Sequence, residues 1–198
     1  HLAAKISVPE SFEDPELYHE VNVEATRKFF ECCVEAEVPR IVFASSAAVY
    51  GDVEGGVMKI GSENPPTSPY AETKILGEKL ANDLATESTR ITCLRFFNVY
   101  GPGQSHSSPY ASAVPIFIEK MRRGEPITIF GDGEQTRDFI HVNDVSMAIF
   151  QSFGSNLPRF SRFNLGTGER ISINDMIEVL SEIFVDFGIE TAEPIYSE

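Results

Sequence analysis

A tyrosine and a lysine four residues apart are the side chains of this sequence best suited to acid–base chemistry. Tyr70 and Lys74 follow Ser68-Pro69, and serine at a cap with proline in the first turn commonly opens an α-helix. Side chains at this spacing share one helical face, and an ammonium beside a phenol lowers the phenol pKa from about 10. The spacing predicts that Tyr70 is a general base near neutral pH, although an ordinary exposed helical pair has the same spacing.

Two serine hydroxyls could face that pair. Ser45 and Ser46 end an apolar run, Arg40-Ile-Val-Phe-Ala44, which is typical of a buried strand. Open α/β sheets bind ligands beyond the carboxyl ends of their strands. The sequence therefore predicts that a ligand lies near Ser45 and Ser46.

The elements that must position these side chains alternate between strand and helix, which favours a parallel sheet with right-handed crossovers. A helix is expected to begin at Asp14-Pro15, and Ser172 to Asp175 resembles a capping box. The predicted helices are 16–37, 70–87, a short one at 115–121, one from 143 or 144 to 153, and 173–185. The predicted strands are 40–45, 91–95, 127–130 and 162–165, with a strand end and loop at 1–11 and a loop at 52–69.

Composition limits the classes of partner. The 198 residues carry a net charge of −14, which argues against nucleic acid or an anionic membrane as a partner. No apolar run is long enough to span a bilayer. The three cysteines lack the spacing of a disulfide framework or a zinc site, so we expect free thiols in a reducing cytoplasm and no bound metal.

Four segments in order resemble the extended short-chain dehydrogenase/reductase family. Within it they are most similar to NAD-dependent nucleotide-sugar epimerases of the UDP-glucose 4-epimerase type. The segments are F-A-S-S-A-A-V-Y-G at 43–51, P-Y-A-E-T-K at 69–74, L-R-F-F-N-V-Y-G-P at 94–102 and G-D-G-E-Q-T-R-D-F-I-H-V-N-D-V at 131–145. Together they are far more specific than any one motif.

The resemblance implies an α/β fold: an incomplete doubly wound, Rossmann-like parallel sheet with a small C-terminal substrate-binding lobe. It assigns 1–103 to the later part of the dinucleotide-binding domain, 104–138 to a lobe insertion, 139–170 to the returning sheet and 171–198 to the lobe. No G-x-G-x-x-G occurs, so the opening βαβ region that carries this fingerprint in the family is expected to be missing.

The resemblance also implies the site residues. It makes Ser46, Tyr70 and Lys74 catalytic. It places NAD against Leu2, Ala3, Ala4, Asn22, Ser45, Tyr70, Lys74 and Phe97. It places the nucleotide sugar against Ser46, Tyr70, Asn98, Ser112, Ala113, Thr128, Phe130 and Arg137. Arg137 would pair with a diphosphate oxygen, although Arg137 and Asp138 could instead form a local ion pair.

Ala47 and Ala48 narrow the implied reaction. Sugar-nucleotide dehydratases of the family tend to carry carboxyl residues here, because elimination needs a carboxyl acid/base pair. The expected reaction is epimerisation of a UDP-hexose at C4, with homodimerisation through helices 16–37 and 70–87. The alternatives are another nucleotide-sugar oxidoreductase or epimerase/reductase, or an inactive fragment that lacks the pyrophosphate loop.

Overall fold

The computed structural model describes residues 1–53, 56–107, 111–154 and 156–197. Positions 54–55 of the predicted loop, and 108–110 and 198 of the predicted lobe, lie outside the described residues. The chain divides into two compact units, His1–Phe97 with Asp144–Leu165, and Asn98–Asn143 with Gly166–Glu198. Among the described helices, none has both the length and the apolar character needed to cross a membrane.

The first unit contains a three-stranded sheet in the order β1-β2-β7, where β1 is Arg40–Ser46, β2 is Arg90–Phe96 and β7 is Phe160–Leu165. All neighbours are parallel. The carboxyl ends align, because Ser46 pairs with Phe96 and Phe96 pairs with Leu165. The predicted parallel α/β architecture is confirmed.

The chain before β1 differs from the prediction. The segment 1–11, expected as a strand end and loop, includes the first four residues of α1 (Val8–Glu13), which begins where the Ser7 hydroxyl accepts from the Glu10 amide. A six-residue helix has too few turns to show an apolar period, so the sequence pattern could not reveal it.

The predicted helix 16–37 is also divided. Asp14 caps its start as expected, accepting from the Leu17 amide at 3.0 Å. It then runs as α2 (Pro15–His19), a π-helical turn (Glu20–Glu24) and α3 (Ala25–Glu35). A π turn inserts one residue into the helical repeat, so no propensity rule marks it.

One helix closely follows its prediction. This helix, α4 (Pro69–Leu84), packs with α3 against β1 and β2. The buried side chains of this core come from all four elements and the π turn: Val23, Phe30, Ile41, Phe43, Leu80, Ala81, Ala85, Ile91 and Cys93. A 3₁₀ turn (Ala47–Tyr50) follows β1, and α6 spans Val142–Gly154.

The second unit is built from short paired strands and two helices. β3 (Asn98–Tyr100) pairs parallel with β6 (Phe139–His141), β4 (Thr128–Phe130) parallel with β9 (Ile195–Ser197), and β5 (Thr136–Arg137) antiparallel with β8 (Ile171–Ser172). The helices are α5 (Ala113–Arg122) and α7 (Ile173–Asp186), and α7 begins with the predicted capping box. Its core side chains are Phe117, Met121, Ile127, Ile129, Ile173, Met176 and Ile177.

Candidate active site

The start of α4 places the predicted base. The Ser68 hydroxyl accepts from the Ala71 amide at 3.1 Å, which confirms the predicted cap, and Pro69 is the first helical residue. Tyr70 and Lys74 therefore lie in the first two turns. Both side chains are buried, at 9% and 4% exposure, so they are not an ordinary exposed helical pair.

Lys74 is directed at the end of β1. Its Nζ donates to the Ala44 carbonyl oxygen at 2.9 Å and lies 5.3 Å from the centre of the Phe43 ring and 5.7 Å from that of the Tyr70 ring. Burial disfavours the ammonium and lowers the pKa of Lys74 to about 8.

The predicted lowering of the Tyr70 pKa is wrong for this structure. Burial raises the pKa of Tyr70, and a hydrogen-bond interaction with the Ser46 hydroxyl acts in the opposite direction without outweighing it. Since burial disfavours the phenolate, a neighbouring ammonium four residues away does not by itself make Tyr70 a base. The sequence argument counted the neighbouring charge and could not count the burial.

Ser45 and Ser46 lie at the carboxyl end of β1 as predicted, and their hydroxyls have different partners. Ser46 is half-buried, its hydroxyl accepts from the Ala48 amide at 3.2 Å, and it lowers the pKa of Tyr70 against the larger effect of burial. Ser45 is buried, and its hydroxyl donates to Oε1 of Glu78 at 2.6 Å. The structure therefore brings Ser46, Tyr70 and Lys74 together in one unit.

A buried ion pair next to this group was not predicted. Arg95 of β2 donates from Nε and Nη2 to the two carboxylate oxygens of Glu78, at 2.8 and 2.7 Å. Its Nη1 donates to Oε1 of Glu63 at 2.5 Å. Glu78 continues the spacing of Tyr70 and Lys74 on α4, and that regular interval was the one signal in the sequence that could have drawn attention to it.

Leu2, Ala3 and Ala4 follow a residue that bonds to β1. The His1 nitrogen donates to the Val42 carbonyl and the His1 carbonyl accepts from the Ala44 amide, so this residue pairs alongside β1. Leu2 and Ala3 are exposed, and Ala4 is half-buried. Contact of these three residues with a cofactor stays a prediction.

Asn22 and Phe97 have different surroundings. Asn22 lies in the π turn and is 2% exposed. Its side-chain oxygen accepts from the Lys5 amide, and its side-chain nitrogen donates to the Lys5 carbonyl and to the Thr73 hydroxyl. Phe97 is half-buried directly after β2, and its amide donates to the Leu165 carbonyl. Contact of either with a cofactor stays a prediction.

Four of the predicted substrate residues of the second unit line one cavity of about 390 Å³. They are Asn98, Ser112, Ala113 and Arg137. Thr128 and Phe130 lie on β4 and are not among its lining residues, and the Phe130 side chain is 72% exposed.

Asp138 does not pair with Arg137 in this structure. Its carboxylate accepts from the Thr167 amide and hydroxyl and from the Gly168 amide, each at 2.8 Å. Its carbonyl accepts from the backbone and side-chain nitrogens of Asn98. Arg137 is exposed at the cavity and donates to the Thr136 carbonyl, and its contact with a diphosphate stays a prediction.

Comparison with known proteins decides the family. A family model described as "NAD dependent epimerase/dehydratase family" matches residues 1–166.

The chain belongs to this epimerase/dehydratase family.

Two kinds of relative support the assignment. The UDP-glucose 4-epimerase of Halalkalibacterium halodurans is 33% identical over 215 residues, covering 100% of this chain and 62% of that protein. The UDP-N-acetylglucosamine 4-epimerase from Methanobrevibacter ruminantium M1, solved in complex with UDP-N-acetylmuramic acid, has a TM-score of 0.91 and 34% identity. MoeE5 in complex with UDP-glucose and NAD has a TM-score of 0.87 and 37% identity.

The match with these family members covers only part of their length. This chain is covered completely by both solved structures, whereas it spans 63% and 64% of theirs. The chain thus spans less than two thirds of the family members it resembles. The family fold, with its parallel sheet and flanking helices, is shared over the whole chain.

In the described part of the chain, no group of three or more His, Cys, Asp or Glu side chains could hold a metal ion. The described cysteines are free thiols, with Cys32 exposed and Cys93 buried.

Proposed function

We propose that this chain carries the acid–base site of an NAD-dependent epimerase that inverts C4 of a UDP-hexose, with UDP-glucose and UDP-galactose or their N-acetylated forms as substrates. The observation that carries the proposal is the group formed by Ser46, Tyr70 and Lys74 at the carboxyl end of β1. Relatives named as UDP-sugar 4-epimerases support the reaction class.

The expected cofactor fits the first unit. Lys74 is a buried amine bonded to the Ala44 carbonyl near the end of β1, and Leu2 and Ala3 are exposed. These residues would hold NAD, together with Asn22, Ser45, Tyr70 and Phe97. When bound, NAD supplies the hydride acceptor and a positive charge that favours the phenolate form of Tyr70.

The residues then divide the acid–base work. Tyr70, as phenolate, takes the proton from the 4-hydroxyl of the sugar, and Ser46 donates a hydrogen bond to the same oxygen. Loss of this proton together with the C4 hydrogen as hydride, for which NAD would be the acceptor, would leave a 4-keto sugar. After the sugar rotates, the hydride would return to its other face and Tyr70 returns the proton to the oxygen. Asn98 and Arg137 hold the diphosphate meanwhile, because the planar fork of arginine matches phosphate oxygens.

Two alanines favour epimerisation over dehydration. Ala47 and Ala48 open the 3₁₀ turn directly after Ser46, where a dehydratase needs carboxyl groups. Neither methyl side chain can exchange a proton. The site therefore has acid–base chemistry for a hydroxyl group and lacks it for elimination at the neighbouring carbon.

The test is conversion of UDP-glucose to UDP-galactose by the complete protein with NAD, followed by nucleotide-sugar chromatography. We expect product without net NADH, and a loss of about 10²-fold or more in kcat for Tyr70→Phe. Stoichiometric NADH formation would instead indicate a one-way oxidoreductase. Near-normal turnover of Tyr70→Phe would refute the assignment of the base.

We also propose a cytoplasmic homodimer. The predicted interface uses the helices now seen as α2, α3 and α4, of which α3 and α4 pack side by side in the first unit. Light scattering on the complete protein tests this proposal, and a monomer at working concentration would contradict it.

A further inference from the structure

A buried salt bridge lies behind the proposed catalytic group. Glu78 and Arg95 are 4% and 1% exposed and are joined by two nearly parallel hydrogen bonds. This two-point geometry fixes both side chains, because a planar guanidinium meets both carboxylate oxygens at once. Burial opposes the charge on Arg95, yet its hydrogen bonds to Glu78 and Glu63 outweigh that effect and raise its pKa.

The pair connects the elements that carry the site. Through Glu78 it holds the Ser45 hydroxyl at the end of β1, one residue before Ser46. Glu78 itself lies on α4, one turn beyond Lys74 and two beyond Tyr70. Through Glu63, Arg95 also holds the segment that leads into α4.

Further contacts fix the guanidinium from the other side. The Arg95 guanidinium carbon lies 4.8 Å from the centre of the Tyr50 ring, and the Tyr50 hydroxyl donates to Oδ1 of Asn164 at 2.6 Å. Arg162 of β7 approaches Oε2 of Glu78 at 3.5 Å. Charged and aromatic groups therefore surround the pair within the first unit.

Stability alone is a weak reason for such an arrangement. Removing two charges from water costs several kcal/mol per ion, and well-packed hydrophobic replacements for buried pairs are often neutral or stabilising. What the pair does supply is a fixed distance and orientation between β1, β2 and α4.

We propose that Glu78 and Arg95 are positioning residues that set the Ser46 hydroxyl against the Tyr70 phenol without touching the substrate. The expected effect on catalysis rests on the proposed function. The expected effect on the alignment of Ser46 with Tyr70 does not, because it can be measured without a substrate.

The test uses the double variant Glu78→Met/Arg95→Met in the complete protein, because it removes both charges of the pair together, whereas either single substitution would leave one buried charge unpaired. The double variant also removes the acceptor of the Ser45 hydroxyl and the partner of Glu63. We expect thermal unfolding close to wild type, kcat lower by about tenfold or more, and KM for the UDP-hexose within about twofold. Glu63→Gln is the matched control, since it removes the charge from the contact between Arg95 and the segment before α4, leaves the Glu78–Arg95 pair in place, and should reduce kcat much less.

A second measurement needs no substrate. Ultraviolet difference titration of each protein against its own Tyr70→Phe counterpart subtracts the signal of the other five tyrosines and leaves that of the Tyr70 phenol. The charged groups around the site are Lys74, the cation over the Tyr70 ring, and Glu63, Glu78, Arg95 and Arg162 of the salt-bridge cluster. Because the Ser46 hydroxyl lowers the pKa of Tyr70, misalignment should move the phenol titration to higher pH. A merely structural role would lower stability without moving this titration.

The outcomes separate the two proposals. If the wild-type protein does not convert UDP-glucose, the proposed function fails, while the titration still decides whether the pair positions Ser46. A folded double variant with wild-type kcat, or with an unmoved titration, would overturn the positioning role. If the double variant does not fold, Arg95→Lys keeps the charge and loses the two-point geometry, and an unmoved titration in that variant is equally decisive.

Discussion

Gly77 of α4 lies directly against the Phe43 ring of β1, so closely that a Cβ added to Gly77 would be 2.6 Å from Cζ of Phe43. No ordinary side chain fits this gap. The contact lies on α4 between Lys74 and Glu78, and it lets the helix approach the strand that carries the two serines. The short distance is consistent with the direct bond from Lys74 to the Ala44 carbonyl.

We therefore expect Gly77→Ala to destabilise the protein although alanine is the better helix former. Helix propensity favours alanine by about 1 kcal/mol, whereas overpacking in a core costs about 1–3 kcal/mol. Urea denaturation should show a lower free energy of unfolding. Gly154→Ala is the control, because nothing lies within 4 Å of an added Cβ at that helical position, and it should not destabilise. Equal effects of the two substitutions would contradict this account.

The buried amine of Lys74 should make stability depend on pH. Its pKa is about 8 in the folded protein and 10.5 in its ordinary state, so between these values the unfolded chain binds more protons. Lys74 should therefore make the free energy of unfolding rise with pH over this window, by up to about 3 kcal/mol. The raised pKa values of Cys33 and Cys93 act oppositely above about pH 9, and those of Tyr18 and Tyr70 above about pH 10, because the unfolded chain loses these protons first.

Lys74→Met should remove the rise, measured by urea denaturation from about pH 8 to about pH 10. Lys79, exposed on the same helix, provides the control, and Lys79→Met should leave the slope as in wild type because its side chain is in solvent. A slope that survives in Lys74→Met would assign the effect to another group.

Arg137 should bind the diphosphate of a nucleotide. Loss of charge-assisted hydrogen bonds costs about 1.5–3 kcal/mol, so Arg137→Met should weaken UDP binding by about 10- to 100-fold in calorimetry. Arg122→Met is the control and makes the same change of side chain. Arg122 is exposed in the same unit and is held by Glu119 through two hydrogen bonds of 2.8 Å. It should leave the affinity unchanged. Equal losses in the two variants would point to a general charge effect.

Asp138 should hold the turn at Thr167 and Gly168. Its three carboxylate bonds would be partly lost in Asp138→Asn, because an amide presents one acceptor atom where the carboxylate presents two. Hydrogen exchange of these two amides should accelerate by about tenfold. Asp132→Asn, which alters only the bond to the Glu134 amide, should leave that exchange unchanged, and an equal acceleration there would contradict the assignment.

Local sequence signals predicted the elements that hold the site. The caps at Ser68 and Ser172 have the expected bonds, and the apolar run before Ser45 is the buried strand β1. These features depend on neighbours a few residues apart, which a sequence displays directly. The π turn around Asn22 could not be predicted in this way, because it changes the helical repeat and no residue type is characteristic of it.

Long-range features were outside the reach of the sequence. Arg95 and Glu78 are 17 residues apart on a strand and a helix, and only the packing of α4 on the sheet brings them together. The raised pKa of Tyr70 has the same origin, since burial depends on every element around it. The spacing of Tyr70 and Lys74 correctly predicted a shared face and said nothing of the solvent it would lose.

The four-residue interval between Tyr70, Lys74 and Glu78 limits insertions and deletions in this part of the chain. Each residue of an α-helix turns the next by about 100°, so losing or gaining a single codon between the first and last of them would swing one end of the face away from β1. Exchange of individual amino acids elsewhere on α4 leaves the phase of the helix intact. Length in this stretch is therefore under stricter constraint than composition.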